Sequence, residues 1–294
     1  MHQLEVNYKQ VDVFTAKPFK GNPVAVIMDA TGLSTSQMQD IANWTNLSET
    51  TFVLPPENSE ADYRVRIFTP KSELPFAGHP TIGTAWALLE AGIITPRQGY
   101  IIQECGAGLV RLTISMCSEG KTSIAFELPE PRITVLSPKQ TDIIETIIGS
   151  KINRSIPPAL IDVGARWIVA KLSDASSVLN VTPDYSQLRQ HDLAMDITGI
   201  CLYGEYSQQQ NIMIEVRSFA PACGVNEDPV CGSGNGSVAA FIRHHSPKQL
   251  IPLDVSAFQG QALGRDGKIS LIIDHDKIKV GGCAVTCIDG KILI

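Results

Sequence analysis

At 294 residues, with 44% hydrophobic and 18% charged side chains, the chain is long enough for one large domain or two ordinary ones with buried cores. A formal charge of −6 without any dense Lys/Arg block removes the electrostatic footprint of a polyanion binder, so nucleic acid is not an expected partner. No apolar run reaches the roughly 18 residues of a membrane span, and MHQLEVNYKQVDVF is too polar for a secretory core; a soluble, cytoplasmic protein with no membrane partner is expected.

In chain order, β-branched and apolar runs predict strands at 11–15, 23–28, 50–54 and 63–68. After Pro80, a favoured first helical residue, TIGTAWALLEAG places Ile82, Ala85, Trp86 and Leu89 at helical spacing while Ala87 and Leu88 cover the other side, which predicts a helix buried all round. A strand at 109–114 follows. The three prolines of ELPEPRITVLSP (127–138) mark the best boundary. Beyond it, strands are predicted at 166–172, 212–219 and 268–274, with a second apolar helix starting at SVAAFI (237–242).

The two halves repeat one another. Arg66-x-Phe68-x-Pro70 answers Arg217-x-Phe219-x-Pro221, and Glu73-x-Pro75-x-Ala77-Gly78 answers Glu227-x-Pro229-x-Cys231-Gly232, with three extra residues in the second loop. A single period near 150 residues is far longer than a solenoid repeat and points to a duplicated domain. The expected class is α+β, each half wrapping mixed sheet around a central helix.

A glycine-rich loop that feeds a helix start offers unpaired N–H groups and the positive dipole end to an anion. Two such loops facing one another across a cleft would hold a small carboxylate and steady a developing carbanion or enolate. Gly232, Gly234 and Gly236 give GxGxG rather than a dinucleotide fingerprint, and no GxxxxGK[ST] occurs. Seven scattered cysteines without a CxxC pair, and six histidines without HExxH, argue for neither a disulfide framework nor a metal site.

Cys231 stands where a helix N-terminus would lower a thiol pKa, yet its counterpart in the first half is Ala77, which cripples a two-cysteine racemase. Glu49, in NLSETTFV, is either a solvated turn residue or a base sheltered in an apolar cleft. His79 either donates to a substrate oxygen or caps and packs its helix. Asp228 and Ser233 either cap the second helix or contact an amino or hydroxyl group of a ligand.

DVFTAKPFKGNPVAVI (12–27), NLSETTFV (46–53), RIFTPKSELPFAGHPTIGTA (66–85) and FAPACGVNEDPVCGSGNG (219–236) together resemble the PhzF family of phenazine-biosynthesis isomerases, on the diaminopimelate epimerase-like fold. The resemblance implies two similar domains, each a mixed sheet curled around a buried helix, with the active site in the interdomain cleft. On it, residues 1–130 form the first domain, to which about 281–294 returns, and 131–280 the second. It also implies metal- and cofactor-free isomerisation of trans-2,3-dihydro-3-hydroxyanthranilate by a proton-shuttling glutamate, which falls on Glu49. Gly78, His79, Asp228, Gly232 and Ser233 become substrate-binding residues by the same match, and a homodimer is implied. The phenazine enzyme has threonine where this chain has Cys231, a position at which epimerases of the fold carry cysteine. Three readings follow: a PhzF-like isomerase acting on a small carboxylate, with Cys231 lining the pocket; a racemase or epimerase using Glu49 and Cys231 on opposite faces of one carbon; and a non-catalytic carboxylate-binding or interaction protein.

Overall fold

The computed structural model describes residues 4–117, 120–207 and 212–294. It divides into two compact units, Met1–Glu127 with Gly281–Ile294, and Leu128–Val280.

Unit one opens with β1 (Glu5–Val13) and β2 (Asn22–Ile27), followed by α1 (Thr35–Thr45), β3 (Thr50–Leu54), β4 (Tyr63–Phe68), the two-residue β5 (Glu73–Leu74), α2 (Gly78–Glu90), β6 (Tyr100–Cys105), β7 (Gly108–Met116) and β8 (Thr122–Glu127). β1–β2 is antiparallel, β2–β3 parallel, β3–β4 and β4–β5 antiparallel, β4–β6 parallel and β6–β7 antiparallel. The sheet has a helix on each face. Val24 of β2 meets α2 at Gly83, where a Cβ would stand 2.3 Å from Val24 Cγ1 and 3.0 Å from Val13 Cγ2, so only glycine lets the backbones approach. Ile27, three residues on and therefore on the opposite face, packs with Phe52 and Phe68 under Met38 and Ala42 of α1. Ser34 and Gln37 close a capping box at the start of α1, and Asn46 ends it in the left-handed region, φ 53°.

Unit two contains β9 (Arg132–Val135), α3 (Pro138–Ile148), β10 (Ala159–Asp162), β11 (Arg166–Lys171), α4 (Ala175–Leu179), α5 (Tyr185–Met195), β12 (Gly199–Glu205), β13 (Ile212–Ala220), β14 (Val225–Asp228), α6 (Gly232–His245), β15 (Leu253–Gln259) and β16 (Gly267–Ile273). Its pairings repeat those of unit one step for step: β10–β11 antiparallel, β11–β12 parallel, β12–β13 and β13–β14 antiparallel, β13–β15 parallel, β15–β16 antiparallel. The last strand, β17 (Ile278–Leu293), pairs antiparallel with β1 from Val13↔Ala284 to Glu5↔Leu293.

The repeated motif proves to be a structural clamp. Arg66 forks onto Glu73 with two 2.7 Å bonds and lies 5.1 Å from the Phe68 ring centre; Arg217 forks onto Glu227 with two 2.8 Å bonds and lies 4.9 Å from Phe219. Bidentate geometry and an aromatic face suit guanidinium. In both units the clamp ties the strand carrying Arg-x-Phe to the hairpin that leads into the buried helix.

Several sequence expectations are corrected. α2 begins at Gly78, with Pro80 third in the helix, where its missing N–H would have had no helical partner anyway. α2 is not buried all round: Trp86 is half-exposed and donates through Nε1 to Thr286 Oγ1 at 3.1 Å. α6 begins at Gly232, so GSGNG is helix rather than loop. Its glycines serve packing: a Cβ on Gly234 would stand 2.7 Å from Ser218 Oγ, and one on Gly236 2.6 Å from Leu128 Cδ1. The proline-rich 127–138 stretch holds both the change from one unit to the other, at Glu127/Leu128, and β9, which pairs with β10.

Candidate functional site

The expected residues fall at two equivalent places, the starts of α2 and α6. In unit one, Glu49 immediately precedes β3, and its backbone carbonyl accepts from Ala25 N on β2 at 3.4 Å. His79 is the second residue of α2 and only 6% exposed. Thr84 Oγ1 donates to Thr51 Oγ1 at 2.8 Å and Thr51 Oγ1 to Ala25 O at 3.2 Å, which pins α2 to β3 and β2. A second buried chain, Tyr63 to Gln103 at 2.9 Å and Gln103 to Thr81 at 3.0 Å, holds the same helix start from β4 and β6.

These fastenings bring His79 Nε2 to 3.3 Å from Glu49 Oε2. The other side of the imidazole hydrogen-bonds the backbone of Pro23, and because proline has no N–H the ring is the donor. Burial drives the His79 pKa down to about 3 against this bond, so the ring is neutral at physiological pH. Gly78 is the first residue of α2 and is buried; its N-cap, Ala77, supplies no side-chain acceptor to the helix start.

In unit two, Cys231 is the N-cap of α6. Its Sγ accepts from Gly234 N at 3.2 Å, and its N–H donates to Gln259 Oε1 at 3.1 Å. Asp228 Oδ1 accepts from Val230 N at 2.9 Å, and its carboxyl hydrogen-bonds the Cys231 thiol. Burial raises the Asp228 pKa to about 6. Ser233 Oγ accepts from Trp167 Nε1 at 3.1 Å and hydrogen-bonds Cys231 Sγ at 3.6 Å. Gly232 is the buried first residue of the helix.

The alternative in which Asp228 or Ser233 caps α6 is overturned, because the cap is the Cys231 sulfur. The expectation of a lowered thiol pKa at that position is overturned too. Burial first, then the nearby Asp228 charge, push Cys231 well above the ordinary thiol value, outweighing the helix-end amide. Cys231 is a neutral thiol.

Sequence reasoning missed Gln259 and Asn235. Gln259 donates to Asp228 O at 2.9 Å, while Asn235 Nδ2 donates to Cys231 O at 2.9 Å and to Gln259 Oε1 at 2.6 Å, stapling β14, the loop and α6 together. Asn235 gave a weak signal, a polar residue between two glycines ahead of an apolar helix; Gln259, inside a strand, gave none.

A duplicated sheet-and-helix unit with a buried carboxylate–imidazole pair defines the class, an α+β protein of the diaminopimelate epimerase-like fold. A probable proline racemase from Agrobacterium radiobacter shares that fold, with TM-score 0.66 over 98% of this chain and 92% of its own at 13% identity. The model of the PhzC-PhzF family, phenazine biosynthesis-like protein, matches residues 11–290, and the chain belongs to that family. It is 46% identical to Antisense-enhancing sequence 1 of Schizosaccharomyces pombe over 99% of both chains. It is 34% identical to the trans-2,3-dihydro-3-hydroxyanthranilate isomerase of Pseudomonas fluorescens over 88% of this chain and 87% of that one. The PhzF-family phenazine biosynthesis protein of Bacillus anthracis superposes with TM-score 0.88 over 99% and 100% of the two chains at 26% identity. The protein is an isomerase of this family.

Among the described residues no helix is long and apolar enough to cross a membrane, and no group of three His, Cys, Asp or Glu could hold a metal ion.

Proposed function

We propose that the protein catalyses a cofactor-independent proton shift on a small carboxylate of the trans-2,3-dihydro-3-hydroxyanthranilate type, with Glu49 as the acid–base group. The observation that carries this reading is the Glu49 carboxyl, largely withdrawn from water and 3.3 Å from a neutral imidazole. As carboxylate it takes a proton from an acidic C–H; as carboxylic acid it returns the proton to another carbon of the same π-system. The charge that develops spreads into the conjugated carboxyl group, where the N–H groups at the start of α2, at Gly78, steady it. A relative named for this reaction, at 34% identity, supports the substrate type. The raised thiol pKa of Cys231 weighs against the racemase alternative, which needs that sulfur as a base.

The test is proton NMR in D2O with trans-2,3-dihydro-3-hydroxyanthranilate. The expected result is the rearranged product with deuterium on carbon, formed about 10²–10⁴-fold more slowly by Glu49→Gln. Inversion at one stereocentre without movement of a double bond would instead establish the epimerase. Ligand-induced stabilisation without turnover would establish the binding role.

A further inference from the structure

We propose that Arg64 anchors a second binding site in unit one, a groove for a small monocarboxylate with an apolar body. It lies on the face of the sheet opposite α2 and is independent of the chemistry assigned to Glu49.

The two clamps show how guanidinium groups hold carboxylates in this protein. Arg66 and Arg217 each fork onto a glutamate through the Nε and Nη2 edge, the side-on pairing that matches both oxygens. Arg64, two residues before Arg66 and therefore on the same face of β4, is engaged differently. Its Nη1 donates to Glu57 Oε1, while its Nε is shut from water and has no hydrogen-bond partner among the described residues. The edge that Arg66 uses on Glu73 is unused here. A charged donor closed off from water without an acceptor is costly, and a carboxylate on the Nε/Nη2 edge removes that cost.

The surroundings select the rest of the ligand. Arg66 reaches the first residue of α1, its Nη1 donating to Thr35 Oγ1 at 3.0 Å, so Arg64 lies beyond the helix that covers Phe52 and Phe68. A groove of about 570 Å³, within the range of small-molecule sites, runs there over Met38, Leu54 and Arg64. Both walls are fastened. On one side Ala30 N donates to Val53 O at 2.8 Å, and Leu33 N closes a turn onto Ala30 O at 3.0 Å. On the other, Pro55 and Pro56 stiffen the backbone, and Glu104 Oε2 accepts from Glu57 N at 2.7 Å and Asn58 N at 3.0 Å. Arg66 is already neutralised by Glu73, so the groove takes a single negative charge, and its apolar floor takes a hydrocarbon body. The Glu57 side chain, 71% exposed and held by its one bond to Arg64, swings aside as the ligand carboxylate enters.

The experiment titrates the full chain with hexanoate and follows the Arg64 Nε–H peak in proton–nitrogen-15 NMR spectra, assigned by its absence from Arg64→Met. Hexanoate should shift that peak saturably, whereas 1-hexanol, the same body without the charge, should not. Arg64→Met should weaken hexanoate binding about tenfold or more, read on the Leu33 and Leu54 amides. Arg64→Lys, which keeps the charge and loses the fork, should weaken it as well and carries the test if the Met variant fails to fold. Glu57→Gln, which removes the competing carboxylate, should strengthen binding up to about fivefold. No saturable shift of the Nε–H peak up to about 50 mM hexanoate would overturn the proposal. An equal response to 1-hexanol, unchanged affinity in Arg64→Lys, or shifts confined to the start of α2 would overturn it too.

Discussion

Glu215 sits in the middle of β13, only 1% exposed, with Oε2 accepting from Tyr206 O–H at 2.6 Å and Oε1 without a hydrogen-bond partner among the described residues. Burial raises its pKa from 4.5 to about 7; the Tyr206 bond and the Arg217 charge offset only part of the desolvation, and Glu227 adds to it. The folded protein therefore binds a proton that the unfolded chain has released between about pH 4.5 and 7. Where the native state holds more protons, stability falls as pH rises, so the contribution is complete below about 4.5 and lost through about 7. A shift of this size corresponds to at most about 3 kcal/mol, and about 2 kcal/mol once residual water around the strand is allowed for. Glu215→Gln keeps an acceptor for Tyr206 and removes the ionisation. Urea unfolding followed across this pH range should show the variant about 2 kcal/mol more stable than wild type above pH 7 and little different near pH 4.5, with a flatter slope between. Parallel curves for the two proteins, or a variant destabilised equally at both ends, would refute the reasoning.

The two clamps should respond differently to the same chemistry. Glu227→Gln leaves Arg217 charged and 5% exposed, and should cost about 3–5 kcal/mol by denaturant melts, whereas Glu73→Gln at the more open Arg66 should cost less than about 1 kcal/mol. Gly83→Ala, pushing a methyl into two stiff buried valines, should lower stability by about 1–3 kcal/mol despite the better helix propensity of alanine; no change in melting would show that α2 can retreat from β2. Cys231→Ser, which keeps a cap for Gly234 N, should retain turnover within about tenfold, since a neutral thiol supplies no base; a loss as deep as that of Glu49→Gln in the D2O assay would restore the sulfur to the chemistry.

Much was legible in the sequence because it is encoded locally or by repetition. The β-branched and apolar runs marked β2, β3 and β4, and the echo of Arg66-x-Phe68 in Arg217-x-Phe219 marked a duplication that the matching order of strand pairings in the two units bears out. Glu49 and His79 could be named as candidates from their motifs. Their meeting could not, because thirty residues separate them and only the packing of α2 on β2 and β3 closes the gap to 3.3 Å. The glycines of 232–236 read as a loop because composition reports conformational freedom; the structure spends them on close approach of a buried helix to its sheet. Protonation states lay furthest from the sequence. Desolvation is summed over everything that surrounds a group, so the neutral ring of His79, the neutral thiol of Cys231 and the raised carboxyls of Asp228 and Glu215 were decided by tertiary burial, whereas residue type and spacing alone sufficed to name these residues as candidates, Glu215 apart.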